Sequence, residues 1–91
     1  MTKIRAHVYV SGRVQGVYFR QNTLREALIA DVKGWVKNLD DGRVEAVFEG
    51  EEAAVKALVD FCHRGPKAAQ VTDVAVKWET YTGEFDNFSI A

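Results

Sequence analysis

The centre of the chain reads Val32-Lys33-Gly34-Trp35-Val36-Lys37-Asn38-Leu39-Asp40-Asp41-Gly42-Arg43-Val44-Glu45-Ala46-Val47-Phe48-Glu49. Two runs rich in β-forming residues, 32–38 and 43–49, flank the pair Asp41-Gly42. Such a pair between two strands is a strong hairpin signal, because glycine supplies the positive φ that a tight turn needs. We therefore predict two adjacent antiparallel strands in the middle of the chain, and the elements on either side of them decide the fold.

A strand and a helix are predicted before this hairpin. Over residues 3–11 every second side chain is apolar, which is typical of a half-buried strand. A glycine-punctuated loop over 12–17 leads into a helix. That helix begins near Phe19 or, if Thr23 and Glu26 form a capping box, at Thr23.

A second helix and two strands are predicted after the hairpin. The helix opens at residues 50–52, has a broad apolar face and ends at Gly65-Pro66. A strand over 71–80 and a short strand over 88–90 follow. The order βαββαβ predicts an α+β fold of the ferredoxin-like type, in which both helices pack on one face of an antiparallel sheet. The whole chain, 1–91, is expected to form a single domain.

Charge and composition exclude several classes of protein. The net charge of −1 does not suit a general nucleic-acid binder, although it divides into +5 through Lys37 and −6 from Asn38 onward. Cys62 is the only cysteine, so no intramolecular disulfide can form. Charged residues near the start and the lack of a long apolar run argue against a signal peptide or a membrane span. We expect a cytoplasmic monomer without a membrane or nucleic-acid partner.

The loop between the first strand and the first helix is the best candidate for an anion site. Gly12 and Gly16 allow its backbone to turn tightly and to aim N–H groups at a ligand. A helix N-terminus adds donors without partners and partial positive charge. Arg20 has a planar fork that suits two phosphate oxygens. Taken alone, however, a Gly-x-x-x-Gly turn of this kind is more often only a turn.

Two long segments make the prediction more specific. The first is Val10-Ser11-Gly12-Arg13-Val14-Gln15-Gly16-Val17-Tyr18-Phe19-Arg20, and the second runs from Gly34-Trp35-Val36-Lys37-Asn38 to Gly50. Both resemble signatures of the acylphosphatase family, in the family's order and on the expected elements. The resemblance covers essentially the whole chain, including the ending Phe88-Ser89-Ile90.

The resemblance implies a metal-free, cofactor-free hydrolase that splits the carboxyl–phosphate bond of small acyl phosphates by in-line attack of water. Inorganic phosphate would be its product or an inhibitor. The implied catalytic residues are Arg20 and Asn38, with Asn38 orienting the water. The implied phosphate-binding amides belong to Gln15, Gly16, Val17, Tyr18, Phe19 and Arg20. One departure lies at Asp31, where many members of the family end the first helix with glycine.

Two other functions are weighed against the hydrolase. The same loop would serve a non-catalytic module that binds phosphate or an acyl phosphate without turning it over. RNA binding on the sheet is disfavoured, because the stacking aromatics and basic motif of RNA-recognition domains are absent.

The remaining candidate residues have simpler interpretations. We interpret Cys62 as a core residue, and no group of residues has metal-ligand spacing. Asp40-Asp41 is explained by the turn. Residues expected on the solvated surface are Lys3, Arg5, His7 and His63, and those expected to pack are Trp35 and Trp78.

Overall fold

The computed structural model describes residues 2–91. The chain forms five strands and two helices in the predicted order, with a fifth strand at the end: β1 Lys3–Arg13, α1 Phe19–Ala30, β2 Lys33–Asn38, β3 Val44–Glu51, α2 Glu52–Arg64, β4 Gln70–Glu79 and β5 Phe88–Ile90. The boundaries agree with the predicted ones to within a few residues.

The strands form one sheet in the order β4-β1-β3-β2-β5. The first four pair antiparallel, as predicted, but β5 pairs parallel with β2, so the complete sheet is mixed. The predicted central hairpin is present. Leu39 N–H donates to the Arg43 carbonyl and Gly42 N–H to the Leu39 carbonyl, and Gly42 has a φ of 96°.

The core lies between the sheet and the two helices. The predicted alternation of β1 is confirmed, because Ala6, Val8 and Val10 are fully buried and stand opposite inward residues of β3, while Ile4 at the start of the strand is partly buried. Phe48 of β3 stacks on Phe88 of β5 with ring centroids 5.7 Å apart. Helix α2 packs on β1, β3 and β4, and α1 packs on β2 and β5. The strand residues buried in this core are Ala6, Val8, Val10, Val36, Val44, Ala46, Phe48 and Phe88, and the helix residues are Phe19, Ala27, Val55, Leu58, Val59 and Cys62.

The first helix starts at Phe19, and the capping box predicted at Thr23 is wrong. Thr23 is fully buried, and its hydroxyl donates to the Phe19 carbonyl one turn earlier at 2.7 Å. A threonine bonded in this way lies inside a helix. The helix ends at Asp31, which adopts the left-handed conformation (φ 57°) that favours glycine.

The face of the sheet away from the helices carries a network of ion pairs, so the expectation that His7 and Arg5 are ordinary solvated residues is wrong. His7 places its two ring nitrogens 2.6 and 3.1 Å from carboxylate oxygens of Glu45 and Glu79. Arg5 binds Glu49, Glu79 and Glu84. Strand alternation brought these groups to one face, but their partners come from β3, β4 and the segment beyond β4.

Glu49 holds the segment that leads from β4 to β5. Its buried carboxylate accepts hydrogen bonds from Thr82 N–H and hydroxyl, from Gly83 N–H and from Arg5. Burial by itself raises the pKa of Glu49, but these bonds outweigh burial and keep that pKa below its ordinary value. The carboxylate is therefore charged and fastens the chain on its way to the far edge of the sheet.

Other sequence predictions have mixed outcomes. Cys62 is buried as predicted, and burial raises the pKa of its thiol to about 12. His63 and Lys3 are exposed, as expected. Trp35 is half-buried, but Trp78 is 53% exposed because β4 is an edge strand, so the prediction that Trp78 packs inside is wrong.

Candidate active site

A small pocket lies where the start of α1 meets the end of β2. In β2, Asn38 shares a face with Val36, which is buried in the core beneath the helices. The side chain of Asn38 therefore points to the helical side of the sheet. The pocket there measures about 200 Å³, and its lining consists of Val14, Gly16, Tyr18, Phe19, Arg20, Gln21 and Asn38.

The loop between β1 and α1 forms one wall of this pocket. Its backbone turns through left-handed conformations at Gly16 (φ 74°) and Tyr18 (φ 63°). A Cβ added at Gly16 would meet no atom within 4 Å, so the backbone there faces open space. An incoming group can thus approach the peptide backbone closely at this position.

The N-terminus of α1 is open toward the same space. Tyr18, the N-cap residue, makes no capping hydrogen bond with its side chain, and the first turn contains no acidic residue. The N–H groups of Phe19, Arg20 and Gln21 have no acceptor within the helix, because the first turn of any helix lacks one. These donors and the positive end of the helix favour an anion.

Arg20 and Asn38 both line this opening. Within residues 2–91 no carboxylate forms a salt bridge with Arg20, whereas Lys33, Arg43 and Lys56 each pair with one. The Oδ1 atom of Asn38 is buried and has no hydrogen-bond partner among the described residues. Buried polar atoms are normally satisfied. An unsatisfied amide oxygen beside an arginine fork indicates a place for a ligand or a water molecule.

The structure brings together most of the predicted site residues. Gly16, Tyr18, Phe19, Arg20 and Asn38 line the pocket, whereas Gln15 and Val17 do not. The side chain of Val17 is buried. The side-chain amide of Gln15 points away to the β2–β3 hairpin.

Two residues that line the pocket, Gln21 and Val14, were not among the predicted site residues. Gln21 follows Arg20 in the first turn of α1, and the rule that a helix begins with several free N–H groups could have identified it. Val14 could not have been found, because an apolar loop residue carries no signal of its own.

A larger recess lies elsewhere and suits an anion poorly. It measures about 400 Å³ and lies between Trp35 and the end of the chain. Glu84 and Asp86 belong to its wall, and their carboxylates would repel a phosphate. Within residues 2–91 no three His, Cys, Asp or Glu side chains are grouped as metal ligands would be. No helix in this part of the chain is both long and apolar enough to cross a membrane.

Fold and pocket together define a small ferredoxin-like α+β protein with a candidate anion site at the start of its first helix. A family model described as Acylphosphatase matches residues 6–90. The chain therefore belongs to the acylphosphatase family, and the resemblance noted in its two signatures is confirmed.

Relatives of similar length support this assignment. The chain is 55% identical to an acylphosphatase of Pelotomaculum thermopropionicum, over 100% of this chain and 99% of that protein. It is 58% identical to an acylphosphatase of Haloarcula marismortui, over 99% of this chain and 98% of that protein. The crystal structure of acylphosphatase from Bacillus subtilis superposes with a TM-score of 0.92 at 40% identity, covering 97% and 98% of the two chains. The predicted fold class and enzyme class are thus confirmed.

Proposed function

We propose that the pocket between α1 and β2 binds the phosphoryl group of a small acyl phosphate and directs water onto its phosphorus. The observation that carries this proposal is Asn38, which lines the same pocket as Arg20 and whose buried Oδ1 has no hydrogen-bond partner among the described residues. A module that only bound phosphate would need the helix start and Arg20, but it would not need an unsatisfied amide in the same pocket.

The reaction requires the protein mainly to align the phosphoryl group and the water and to supply positive charge. The leaving group is a carboxylate, a weak base, so no strong general acid has to protonate it. Phosphoryl transfer depends mainly on alignment and on neutralising the equatorial oxygens. The amides of the loop and of the α1 start, from Gln15 to Arg20, and the guanidinium of Arg20 supply positive charge. Gln21 extends this set of donors by one residue.

Asn38 is assigned the role of orienting the attacking water. Its amide oxygen can accept a hydrogen bond from water while its NH₂ group donates to a neighbouring oxygen. The amide is too weak a base to remove the proton. The pocket measures about 200 Å³, and every residue assigned a binding role acts on the phosphoryl group or on the water. No residue is assigned to the acyl group, so we expect broad specificity for it.

Further parts of the proposal rest on the sequence. We expect an enzyme that needs no metal or cofactor, acts as a monomer and works in the cytoplasm. Inorganic phosphate is expected to compete with substrate, because it presents the same oxygens to the loop.

The proposal is tested by measuring hydrolysis of an aryl acyl phosphate by the purified protein with an excess of chelator. We expect turnover that the chelator does not change. Asn38→Ala should lower kcat by about a hundredfold and change the affinity for inorganic phosphate little, because its partner is the water. The matched control is Asn87→Ala, on an exposed side chain outside the pocket.

The alternative, a binding module, makes a different prediction. Phosphate would protect the protein against thermal unfolding while the wild type showed no hydrolysis. Full turnover by Asn38→Ala would instead leave the enzyme intact and refute the role assigned to this residue.

A further inference from the structure

The side chain of Gln15 connects the phosphate-binding loop to the strand that carries Asn38. Its Nε2 donates to the carbonyl of Leu39 at 2.7 Å and to the carbonyl of Arg43 at 3.0 Å. Both carbonyls also accept backbone bonds inside the hairpin, from Gly42 N–H and Leu39 N–H. Only the NH₂ end of the amide can serve two acceptors at once, so chemistry fixes its orientation.

These bonds join two parts of the site that are separate in sequence. Leu39 directly follows Asn38, and Gln15 directly precedes Gly16 in the wall of the pocket. Within residues 2–91, no other side chain between positions 14 and 18 forms a hydrogen bond with the hairpin. Gln15 therefore supplies the side-chain hydrogen bonds that link the loop to the strand that carries Asn38.

Core packing also anchors the loop, because Val14 and Val17 are buried, but the residues that face the pocket between and after them are open. Gly16 is exposed and has open space beside it, and Tyr18 is 70% exposed. Asn22 also forms hydrogen bonds with this part of the loop, because its backbone N–H and its Nδ2 donate to the Tyr18 carbonyl. Those bonds lie inside α1 and cannot set the distance to β2.

We propose that Gln15 is a positioning residue for the hydrolysis, and that its side-chain amide sets the distance between the bound phosphoryl group and the water held by Asn38. The inference rests on the proposed function of the pocket, and it concerns the side chain of Gln15 rather than its backbone N–H. The side chain of Gln15 acts through Asn38 and touches neither substrate nor water. Misplacement of a reacting group by about 1 Å can cost about a hundredfold in rate, so a single tether of this kind has a measurable effect.

The test is a double-mutant cycle between Gln15→Met and Asn38→Ala. Methionine keeps the length of glutamine and removes both N–H donors. In the wild-type background we expect Gln15→Met to lower kcat by about tenfold, while affinity for inorganic phosphate changes by less than about threefold. In the Asn38→Ala background the same change should lower kcat by less than about twofold, because the group that Gln15 positions is already gone.

Two controls distinguish a positioning role of Gln15 from an effect of the substitution on the stability of the protein. Gln70→Met makes the same replacement on an exposed glutamine outside the site and should leave kcat unchanged. Thermal unfolding is measured for every variant. If Gln15→Met does not fold, Gln15→Asn replaces it; this variant keeps the amide but is too short to reach both carbonyls, and the same non-additive pattern is expected.

Two outcomes overturn the inference. One is an equal loss of kcat from the Gln15 substitution with and without Asn38, and the other is a loss of phosphate affinity in proportion to kcat. Failure of the wild type to hydrolyse the acyl phosphate would overturn the proposed function itself. If the wild type hydrolyses the acyl phosphate but the effects of the Gln15 and Asn38 substitutions on kcat are additive, only the role assigned to Gln15 is overturned.

Discussion

The two helices of this protein begin in opposite ways. The start of α2 has Glu51 as its N-cap and Glu52 in its first turn, and the Glu52 N–H donates to the Thr2 carbonyl. Neither N-cap side chain makes a capping hydrogen bond, but the start of α1 has a left-handed tyrosine, no acid and an arginine in its first turn. Because acids near a helix start stabilise the helix, α1 lacks a contribution that α2 possesses.

The ends of the two helices differ as well. Helix α2 stops at Gly65, whereas α1 stops at Asp31 in a left-handed conformation that costs an ordinary residue free energy. Only the difference at the helix starts bears on the pocket. The start of α1 lacks the acids that stabilise the start of α2, and an anion bound there would supply the missing negative charge.

The largest effect is expected from Arg20→Ala. Loss of this charge should lower kcat/KM for an acyl phosphate by at least about a hundredfold to a thousandfold, which corresponds to about 3–4 kcal/mol. The matched control is Arg25→Ala, on an exposed arginine of the same helix. Equal effects of the two substitutions would show that general positive charge, and not the start of α1, drives the reaction.

Phosphate should stabilise the fold through the start of α1. At about a hundred times its dissociation constant, phosphate is expected to raise the free energy of unfolding by about 2.7 kcal/mol. Thermal unfolding at constant ionic strength measures this shift. Protection should disappear in Arg20→Ala and persist in Lys56→Ala, which removes a cation from α2. Loss of protection in both variants would contradict the difference between the helices.

Asp31→Gly should stabilise the protein by about 0.5–1 kcal/mol. Glycine removes the cost of the left-handed conformation, and its greater freedom in the unfolded chain offsets part of the gain. Denaturant unfolding gives the value. Gly65→Ala, at the end of α2, should have the opposite sign, because its new Cβ would lie 3.1–3.2 Å from Ala69, Phe19 and Val71. A loss of stability in Asp31→Gly would mean that the exposed Lys33–Asp31 bond matters more than the backbone.

The smallest effect is expected from a new acid at the start of α1, which should stabilise the helix and weaken anion binding there. Gln21→Glu gives α1 the acid that α2 already has, and it should stabilise the unliganded protein by about 0.3–1 kcal/mol. The same charge should weaken phosphate binding, because it repels the anion. Glu52→Gln is the converse change in α2, and we expect a small loss of stability with unchanged hydrolysis. Stronger phosphate binding by Gln21→Glu would refute the proposed position of the anion.

Much of the site was predictable, but for two different reasons. Arg20 and the glycines of the loop could be chosen from the residues, since a strand–loop–helix junction with an arginine indicates an anion site. Asn38 carried no local signal beyond a place before a turn, and only the resemblance to a family identified it. The side-chain bonds of Gln15 gave no signal at all, because a glutamine in a loop has many possible partners.

The wrong predictions have two different causes. Thr23 and Glu26 fit a capping box by spacing, but the preceding loop already brings Phe19 into the helix, so Thr23 lies in the second turn. His7 and Arg5 lie on the polar face of a strand, as predicted, yet their partners come from β3, β4 and the segment beyond β4. Local rules could not anticipate these long-range contacts.

The helices and strands and the apolar face of each follow from local sequence, because the periods of two in strands and 3.6 in helices are local properties of the backbone. The hairpin follows in the same way from Asp41-Gly42. Which polar groups meet depends instead on tertiary packing. The register of β2 beside β3 puts Asn38 under the start of α1, the Gln15 amide holds the two together, and the crossing segment fastened by Glu49 places β5 parallel to β2. These contacts join distant parts of the chain, and their geometry exists only once the core has packed.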